Sequence, residues 1–310
     1  MSNVTIVVST YTPKRLQDIK RCLASIEKQT LQPTEVLLVL DPHDELIEFY
    51  RQRVPEPVKI VVSSGVGLSH ARNTGVRQAL GSIVAFIDDD ALADPCWLEN
   101  SLANYQSMDV MGVGGFISAD WENERSLWLP EELDWIVGCS YKGLPTKRRE
   151  IRNPIGCNMS FRKEVFDRAG YFRTDLGRFG NMLLCNEETE FAIRALRCMP
   201  NSKIMYDPSA IVYHRVRRDR EHLGYVWKRS FYEGISKAII SFKSASPRVL
   251  STENAYLKLL ISKSIPKRLK HIHKKNQSSE LLALFVSLIA VSAGFVVGRI
   301  MKRVNDEAAI

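Results

Sequence analysis

The sequence predicts an α/β chain built on a Rossmann-like, mostly parallel mixed sheet, followed by basic helices and a hydrophobic anchor. Short apolar strands alternate with helical stretches over the first 90 residues, two of those strands end in carboxylates, and one uncharged apolar run stands near the C-terminus. A β–α–β–α alternation argues for a parallel, doubly wound sheet, because each parallel crossover brings its own covering helix. In such sheets ligands bind beyond the carboxyl ends of the strands.

Val4–Ser9 reads as a buried strand, and Pro13 with Lys14 opens a helix through about Gln29. Val36–Leu40 is a second strand ending at Asp41, Lys59–Val62 a third, Ser69–Leu80 a helix, and Ile83–Ile87 a fourth strand ending at Asp88-Asp89-Asp90. Pro95–Tyr105 reads as a helix, Val110–Ser118 as a strand, and 121–150 as irregular and rich in Trp, Pro and charge. Asn158–Arg162 is strand-like, and Lys163–Gly170 is a short helix closed by glycine. Glu187–Cys198 is a helix, Lys203–Tyr206 and Ala210–His214 are two short strands, and 221–275 is helical and basic.

Six cysteines without a Cys-x-x-Cys pair fit reduced thiols better than a disulfide framework or a zinc site. Met1–Val4 runs directly into the first strand, so no secretory leader is expected. The net charge of +8 is local: residues 215–275 hold 16 Lys or Arg against 4 Asp or Glu. That segment precedes Leu281–Gly298, an apolar run of about 18 residues without a charge, just long enough to cross a hydrocarbon core, for which roughly 20 are needed. Basic beside apolar favours anionic lipid headgroups over nucleic acid. Lys267, Arg268, Lys270, Lys274 and Lys275 outweigh Arg299, Lys302 and Arg303, which places the large N-terminal part on the cytoplasmic face if the run spans. A buried or interfacial hairpin helix is the other reading of the run.

Three adjacent carboxylates repel one another unless a cation or hydrogen-bond donors are present. A divalent Mg²⁺ or Mn²⁺ holding a diphosphate answers this for Asp88-Asp89-Asp90, since hard cations take carboxylate and phosphate oxygens together. A solvated acidic turn capping the next helix answers it too.

Val8-Ser9-Thr10-Tyr11, Asp41, Gly67-Leu68-Ser69 with Arg72-Asn73, and Phe86-Ile87-Asp88-Asp89-Asp90 stand in an order and spacing that resembles family 2 glycosyltransferases. The resemblance implies a GT-A fold, with residues 1–220 as the catalytic domain (about 1–110 for the nucleotide sugar, 111–220 for the acceptor). Residues 221–277 would be membrane-proximal helices and 278–303 a membrane helix. It also implies that Thr10, Tyr11 and Asp41 contact the nucleotide base, that Arg72 and Asp89 help to hold the nucleotide, that Asp88 meets the ribose, and that Asp90 meets the metal. Gly156–Phe161 resembles the acceptor-side strand, which makes Asn158 an acceptor candidate. Glu187-Glu188 stands where the family has its general base, with Glu where Asp is more common; Glu188 is the first candidate and Glu187 the second. Clustering of Glu187, Glu188 and Glu190 is expected to raise at least one of their pKa values, although Glu190 equally suits an i,i+4 pair with Arg194. His214 reads either as a further metal ligand or as a structural histidine.

Asp88–Trp97, Leu129–Gly138 with Trp135, and the hydrophobic tail resemble one archaeal branch of the family, the glucosyl-dolichyl phosphate glucuronosyltransferases. That likeness implies a UDP-sugar donor, glucuronic acid as the moving sugar, and a lipid-linked sugar acceptor at a membrane. Trp128 and Trp135 would then stack on the acceptor sugar, or serve as packing residues. The competing classes are a non-catalytic membrane scaffold, a basic nucleic-acid-binding module using 215–275, and a sugar-phosphate nucleotidyl-transferring enzyme of the same fold. The last calls for a glycine-rich phosphate loop that Thr10–Lys14 lacks.

Overall fold

A computed structural model describes residues 3–178, 183–242 and 250–307, without the side chains of 242 and 302–307. Part of the basic stretch (243–249) and the flank side chains of Lys302 and Arg303 therefore lie outside the described residues. Two compact units result: Met1–Asp120, Pro145–Gly180 and Glu187–Arg215 form the first, and Trp121–Leu144, Asn181–Asn186 and Val216–Ile310 the second.

The first unit runs β1 (Val4–Thr10), α1 (Leu16–Glu27, entered through a 3-10 turn at Pro13–Arg15), β2 (Glu35–Leu40), α2 (Asp44–Arg51), β3 (Lys59–Val62), α3 (Leu68–Gln78) and β4 (Ile83–Asp88). It continues through β5 (Ala91–Ala93), α4 (Trp97–Leu102), β6 (Val110–Trp121), β7 (Arg149–Ile151), β8 (Asn158–Arg162), α5 (Lys163–Ala169), α6 (Glu187–Cys198) and β9 (Lys203–Val216). Among the described residues one sheet orders these strands β3-β2-β1-β4-β8-β6-β9-β5, with β7 also on β9. β1 pairs in parallel with β2 and β4, and β2 with β3. β8 runs antiparallel to β4 and β6. The sheet is thus mixed, with the expected parallel half first. The near-continuous apolar runs of β1 and β2 are buried but for the partly exposed Ser9 and Val36, as expected of strands covered on both faces.

The two strands expected at 203–206 and 210–214 are one, β9, and it passes through Pro208. Proline is tolerated there because β7 pairs with Ile204–Tyr206 and β5 with Val212–His214, so the missing N–H falls between the two ladders. Beneath the sheet lies an aromatic core of Phe86, Phe161, Phe166, Phe172 and Phe191. Phe166 stacks on Phe191 at 4.5 Å, and Phe161 meets the same ring edge-on at 5.0 Å. Each buried ring contributes about 1.5–3 kcal/mol by area. Glu187, Phe191 and Ala195, spaced four apart, share the buried face of α6, so the aromatic core sets where Glu187 points.

The second unit holds α7 (Leu223–Phe242), α8 (Ser251–Leu259), α9 (Ile265–Lys270) and α10 (Gln277–Glu307), joined by the 121–144 segment. Within it Arg268 donates to both carboxylate oxygens of Glu132 and to Glu280 (2.6–3.1 Å) and is buried. One member of the basic flank is thereby an internal ion pair. Gln277–Met301 of α10 is long and apolar enough to cross a membrane, with mean hydropathy 2.5. One of its faces is taken: a Cβ on Gly294 would meet the Phe231 carbonyl of α7, one on Gly298 would meet Ile235, and the Ser230 and Ser287 hydroxyls share a 2.9 Å hydrogen bond. The other face exposes Leu282, Phe285, Ile289, Val296 and Ile300. The apolar run is therefore half of a close-packed helix pair, with a free apolar stripe on its outer side.

Candidate active site

The parallel strands β1, β2 and β4 deliver Thr10, Asp41 and Asp88 to one edge of the sheet. Asp41 is buried, and both of its carboxylate oxygens accept from the N–H of Gly67 at 3.2 and 3.3 Å. Gly67 has φ of 107°, the left-handed side that glycine adopts without strain, and it begins α3. Burial raises Asp41 above the ordinary carboxylate range, and the Gly67 hydrogen bond opposes this only in part. Thr10 is buried, whereas Tyr11 is 61% exposed with the Arg15 guanidinium 5.5 Å over its ring.

Asp88, Asp89 and Asp90 stay together because arginines separate their charges. Arg15 pairs with Asp89 and, at 3.1 Å, with Asp90; Arg72 pairs with Asp88 at 3.2 Å. Burial, with the like charge of Asp90 behind it, pushes Asp89 up to about 6 despite Arg15. Arg15 itself is raised, since the two aspartates outweigh the burial that would lower it. Nothing in the sequence pairs Arg15 with carboxylates 74 and 75 residues away, so its place in the site is visible only in the fold. The only local signal was the Lys14-Arg15 pair of cations shortly after Thr10-Tyr11.

Arg72 is a buried hub. One terminal nitrogen donates to Glu187 at 2.5 Å, and the other to Asp88 at 3.2 Å and to the Gly156 carbonyl at 3.0 Å. Its side chain is 3% exposed, so these terminal donors serve the protein. Burial alone would lower its pKa, but Glu187, Asp88 and Glu188 outweigh it and hold Arg72 above its ordinary value. A Cβ on Gly156 would meet this guanidinium at 2.9 Å, which accounts for glycine there.

The acidic cluster at the head of α6 is dispersed. Glu187 is buried against Arg72, and Glu190 binds Arg194 at 2.9 Å, the i,i+4 pair expected for it. Glu188, one residue round the helix, is half-buried, with Thr189 donating to it at 3.4 Å. Glu187 and Glu190, three apart in the chain, thus turn to different arginines.

The β5–β9 ladder sets Ala91 opposite His214, and the Arg215 N–H binds the Asp90 carbonyl at 2.9 Å. This brings His214 Nε2 to 3.3 Å from Asp90 Oδ1. Ligand atoms of Asp88, Cys157 and His214 lie within 4.8 Å of one another, close enough for one ion. Carboxylate oxygen, imidazole nitrogen and thiol sulfur together form a donor set that suits a divalent transition metal. Cys157 is a further residue the sequence reading passed over.

Asn158 is occupied internally. Its amide oxygen accepts from Trp97 Nε1 (2.8 Å), and its nitrogen donates to the carbonyls of Phe116 and Ala210. Trp128 and Trp135 belong to the second unit and are half-buried; Trp135 Nε1 donates to the Tyr256 hydroxyl at 3.3 Å.

Residues 5–170 match the model of the family described as glycosyl transferase family 2. The chain is 31% identical over 302 residues to the glucosyl-dolichyl phosphate glucuronosyltransferase of Haloferax volcanii, covering 95% of this chain and 96% of that one. It is 25% identical over 238 residues to the succinoglycan biosynthesis protein ExoM of Rhizobium meliloti, covering 75% and 73%. Among solved structures, the crystal structure of S. aureus TarS 1-349 superposes with a TM-score of 0.50 at 17% identity, over 94% of this chain and 81% of that one. GalNAc-T7 with UDP, GalNAc and Mn²⁺ gives 0.52 at 16% identity, over 84% and 56%. At these identities the likeness is one of fold, and it bears out the GT-A architecture.

Proposed function

The chain belongs to glycosyl transferase family 2 and is a glycosyltransferase, and from that premise we propose that it moves glucuronic acid from a UDP-sugar to a lipid-linked sugar at a membrane. The observation that carries the reading is the convergence of Asp41, Asp88-Asp89-Asp90, Arg72 and Glu187-Glu188 on one sheet edge. The donor and acceptor follow the relative that matches along nearly the whole chain.

Thr10, Tyr11 and Asp41 bind the base, and Asp88 and Asp89 the nucleotide sugar. Lewis-acid neutralisation of the charge growing on the leaving nucleoside diphosphate is what Mn²⁺ or Mg²⁺ supplies when bound by Asp90 and His214, with Asp88 beside them. Glu188 takes the proton of the acceptor hydroxyl, and displacement inverts the anomeric carbon. Its partial exposure supports it over Glu187, which is committed to Arg72. Arg72 acts by fixing Asp88 and Glu187 in place. The apolar stripe of α10 rests in the bilayer, with the basic helices towards anionic headgroups on the cytoplasmic face. Trp128 and Trp135 are the candidates for stacking on the acceptor sugar.

The test offers membranes containing the full chain radiolabelled UDP- and GDP-sugars with glucosyl-phospho-dolichol. Label should enter the lipid fraction from UDP-glucuronic acid and only with that acceptor. Transfer from a different donor would replace the substrate while keeping the reaction, as a role in cell-surface polysaccharide assembly would require. Absence of both transfer and nucleotide release with every donor would defeat the reading.

A further inference from the structure

We propose that Cys157 is a third protein ligand of the divalent cation, so that the site prefers thiophilic cations to Mg²⁺. This rests on the cation reading above and deepens it. β4 and β8 are antiparallel with Ile87 opposite Asn158, so the next pair, Asp88 and Cys157, stands side by side where the sheet ends. His214 arrives from β9 through its pairing with Ala91. Three strands thus deliver an oxygen, a sulfur and a nitrogen donor to one point, within 4.8 Å of one another. Ligands at about 2.1–2.3 Å from one ion stand ~3.5 Å apart in a tetrahedron and ~4.4 Å apart when opposite. Small side-chain adjustments close that gap.

The placement is specific to Cys157. Cys22 is also buried near the acidic turn, but its thiol points at the Asp88 backbone carbonyl at 3.7 Å and lies outside the ligand group. Asp90 approaches His214 at 3.3 Å and so stands next to this group, and each aspartate is held by one arginine, Asp90 by Arg15 at 3.1 Å and Asp88 by Arg72 at 3.2 Å. A sulfur ligand changes selectivity. Mg²⁺ takes oxygen ligands in a strict octahedron, whereas thiolate favours softer cations. On binding, the thiol proton leaves to solvent and the Cys157 Sγ–metal bond forms, with no change of oxidation state.

The experiment uses the full chain in detergent, stripped of metal, with UDP present and Co²⁺ as the probe. Wild type should develop a thiolate-to-cobalt charge-transfer band in the near ultraviolet. Cys157→Ser should lose that band yet keep the weaker visible cobalt bands, and Cys22→Ser should keep both. Cd²⁺ affinity should fall in Cys157→Ser by at least the ~10–100-fold that loss of an outer-shell partner already costs, with Mg²⁺ affinity within about twofold of wild type. X-ray absorption of Cd²⁺ on wild type needs no variant and should record a sulfur neighbour. Visible cobalt bands without the charge-transfer band, or a band that survives Cys157→Ser, would overturn the proposal and leave the cation reading intact. Failure of wild type to take up Co²⁺, Mn²⁺ or Cd²⁺ at all would overturn both.

Discussion

Arg72→Met removes a guanidinium that is 3% exposed and strands the Glu187 carboxylate, 5% exposed, against an apolar side chain. Breaking a buried ion pair by deleting one partner costs about 3–5 kcal/mol, because the remaining charge keeps its desolvation penalty. The arm to Asp88, whose side chain is 32% exposed, adds under about 1 kcal/mol. At ~2–4 °C per kcal/mol for larger domains, the combined loss of about 3–6 kcal/mol should lower the unfolding midpoint by about 6–24 °C. The assay is urea or thermal unfolding of the purified chain, followed by near-ultraviolet circular dichroism. Arg72→Met/Glu187→Leu should recover most of the loss, since an apolar pair of similar volume can replace a buried ion pair at little cost. The cycle should return a coupling of at least ~2 kcal/mol. If Arg72 instead served only to grip the nucleotide, Arg72→Met would unfold within about 1 kcal/mol of wild type and lose UDP affinity alone. That result, or a double variant no better than the single, would refute the hub.

Three further outcomes follow from the same geometry. Glu188→Gln should lower transfer by ~10²–10⁴-fold with UDP affinity unchanged, measured by initial rates and equilibrium binding, whereas Glu187→Gln keeps a hydrogen bond to Arg72 and should lose less; the reverse order would move the base to Glu187. Asp89, folded at about 6 against 3.8 unfolded, contributes stability that is present below about pH 4 and is lost as pH rises through 6. That amounts to about 3 kcal/mol at most, and Asp89→Asn should flatten stability between pH 4 and 6, as followed by denaturant midpoints; an unchanged slope would sink the assignment. Gly294→Leu drives a side chain into the Phe231 carbonyl of α7 and should cost upwards of ~1–3 kcal/mol, seen as aggregation or a lowered midpoint in detergent, while Leu282→Ala on the exposed face should leave the midpoint within about 0.5 kcal/mol.

The parallel half of the sheet was legible because its strands are short β-branched runs closed by turn residues, and a strand that ends in Asp41 or Asp88 declares where ligands go. β5 has three residues and exists only through its pairing with β9, so neither it nor the approach of His214 to Asp90 could be read locally. Pro208 divided β9 on paper because a sequence does not reveal which side of a strand lacks a neighbour. Arg15 and Cys157 were missed for one reason: each becomes part of the site through partners tens of residues away. The Glu190–Arg194 pair was legible from its i,i+4 spacing, whereas the pairing of Glu187 with Arg72, 115 residues away, was not. The apolar tail was legible as a helix, but its partner was not, because the small residues of α7 and α10 that fit together are scattered through separate segments.

Arg72 explains how so acidic a sheet edge persists with Glu187 buried and Asp88 only partly exposed. Asp88, Glu187 and Glu188 converge on it, and a polar carbonyl from Gly156 fills its remaining reach. Were the same position lysine, a single ammonium could not present two parallel faces to carboxylates on α6 and β4. The planar fork joins the end of β4 to the first residue of α6, so a shift at either is felt at the other. Glu188 then stands next to a fixed point but outside it, half-buried at the protein–water boundary. A base needs that combination: a backbone held by the buried pair beside it, and a carboxylate that still meets an incoming hydroxyl. For the proposed base Glu188, the extra methylene of glutamate over aspartate would be tolerable under these conditions, because the helix start is anchored through Glu187 and only the reach of Glu188 would have to match the acceptor.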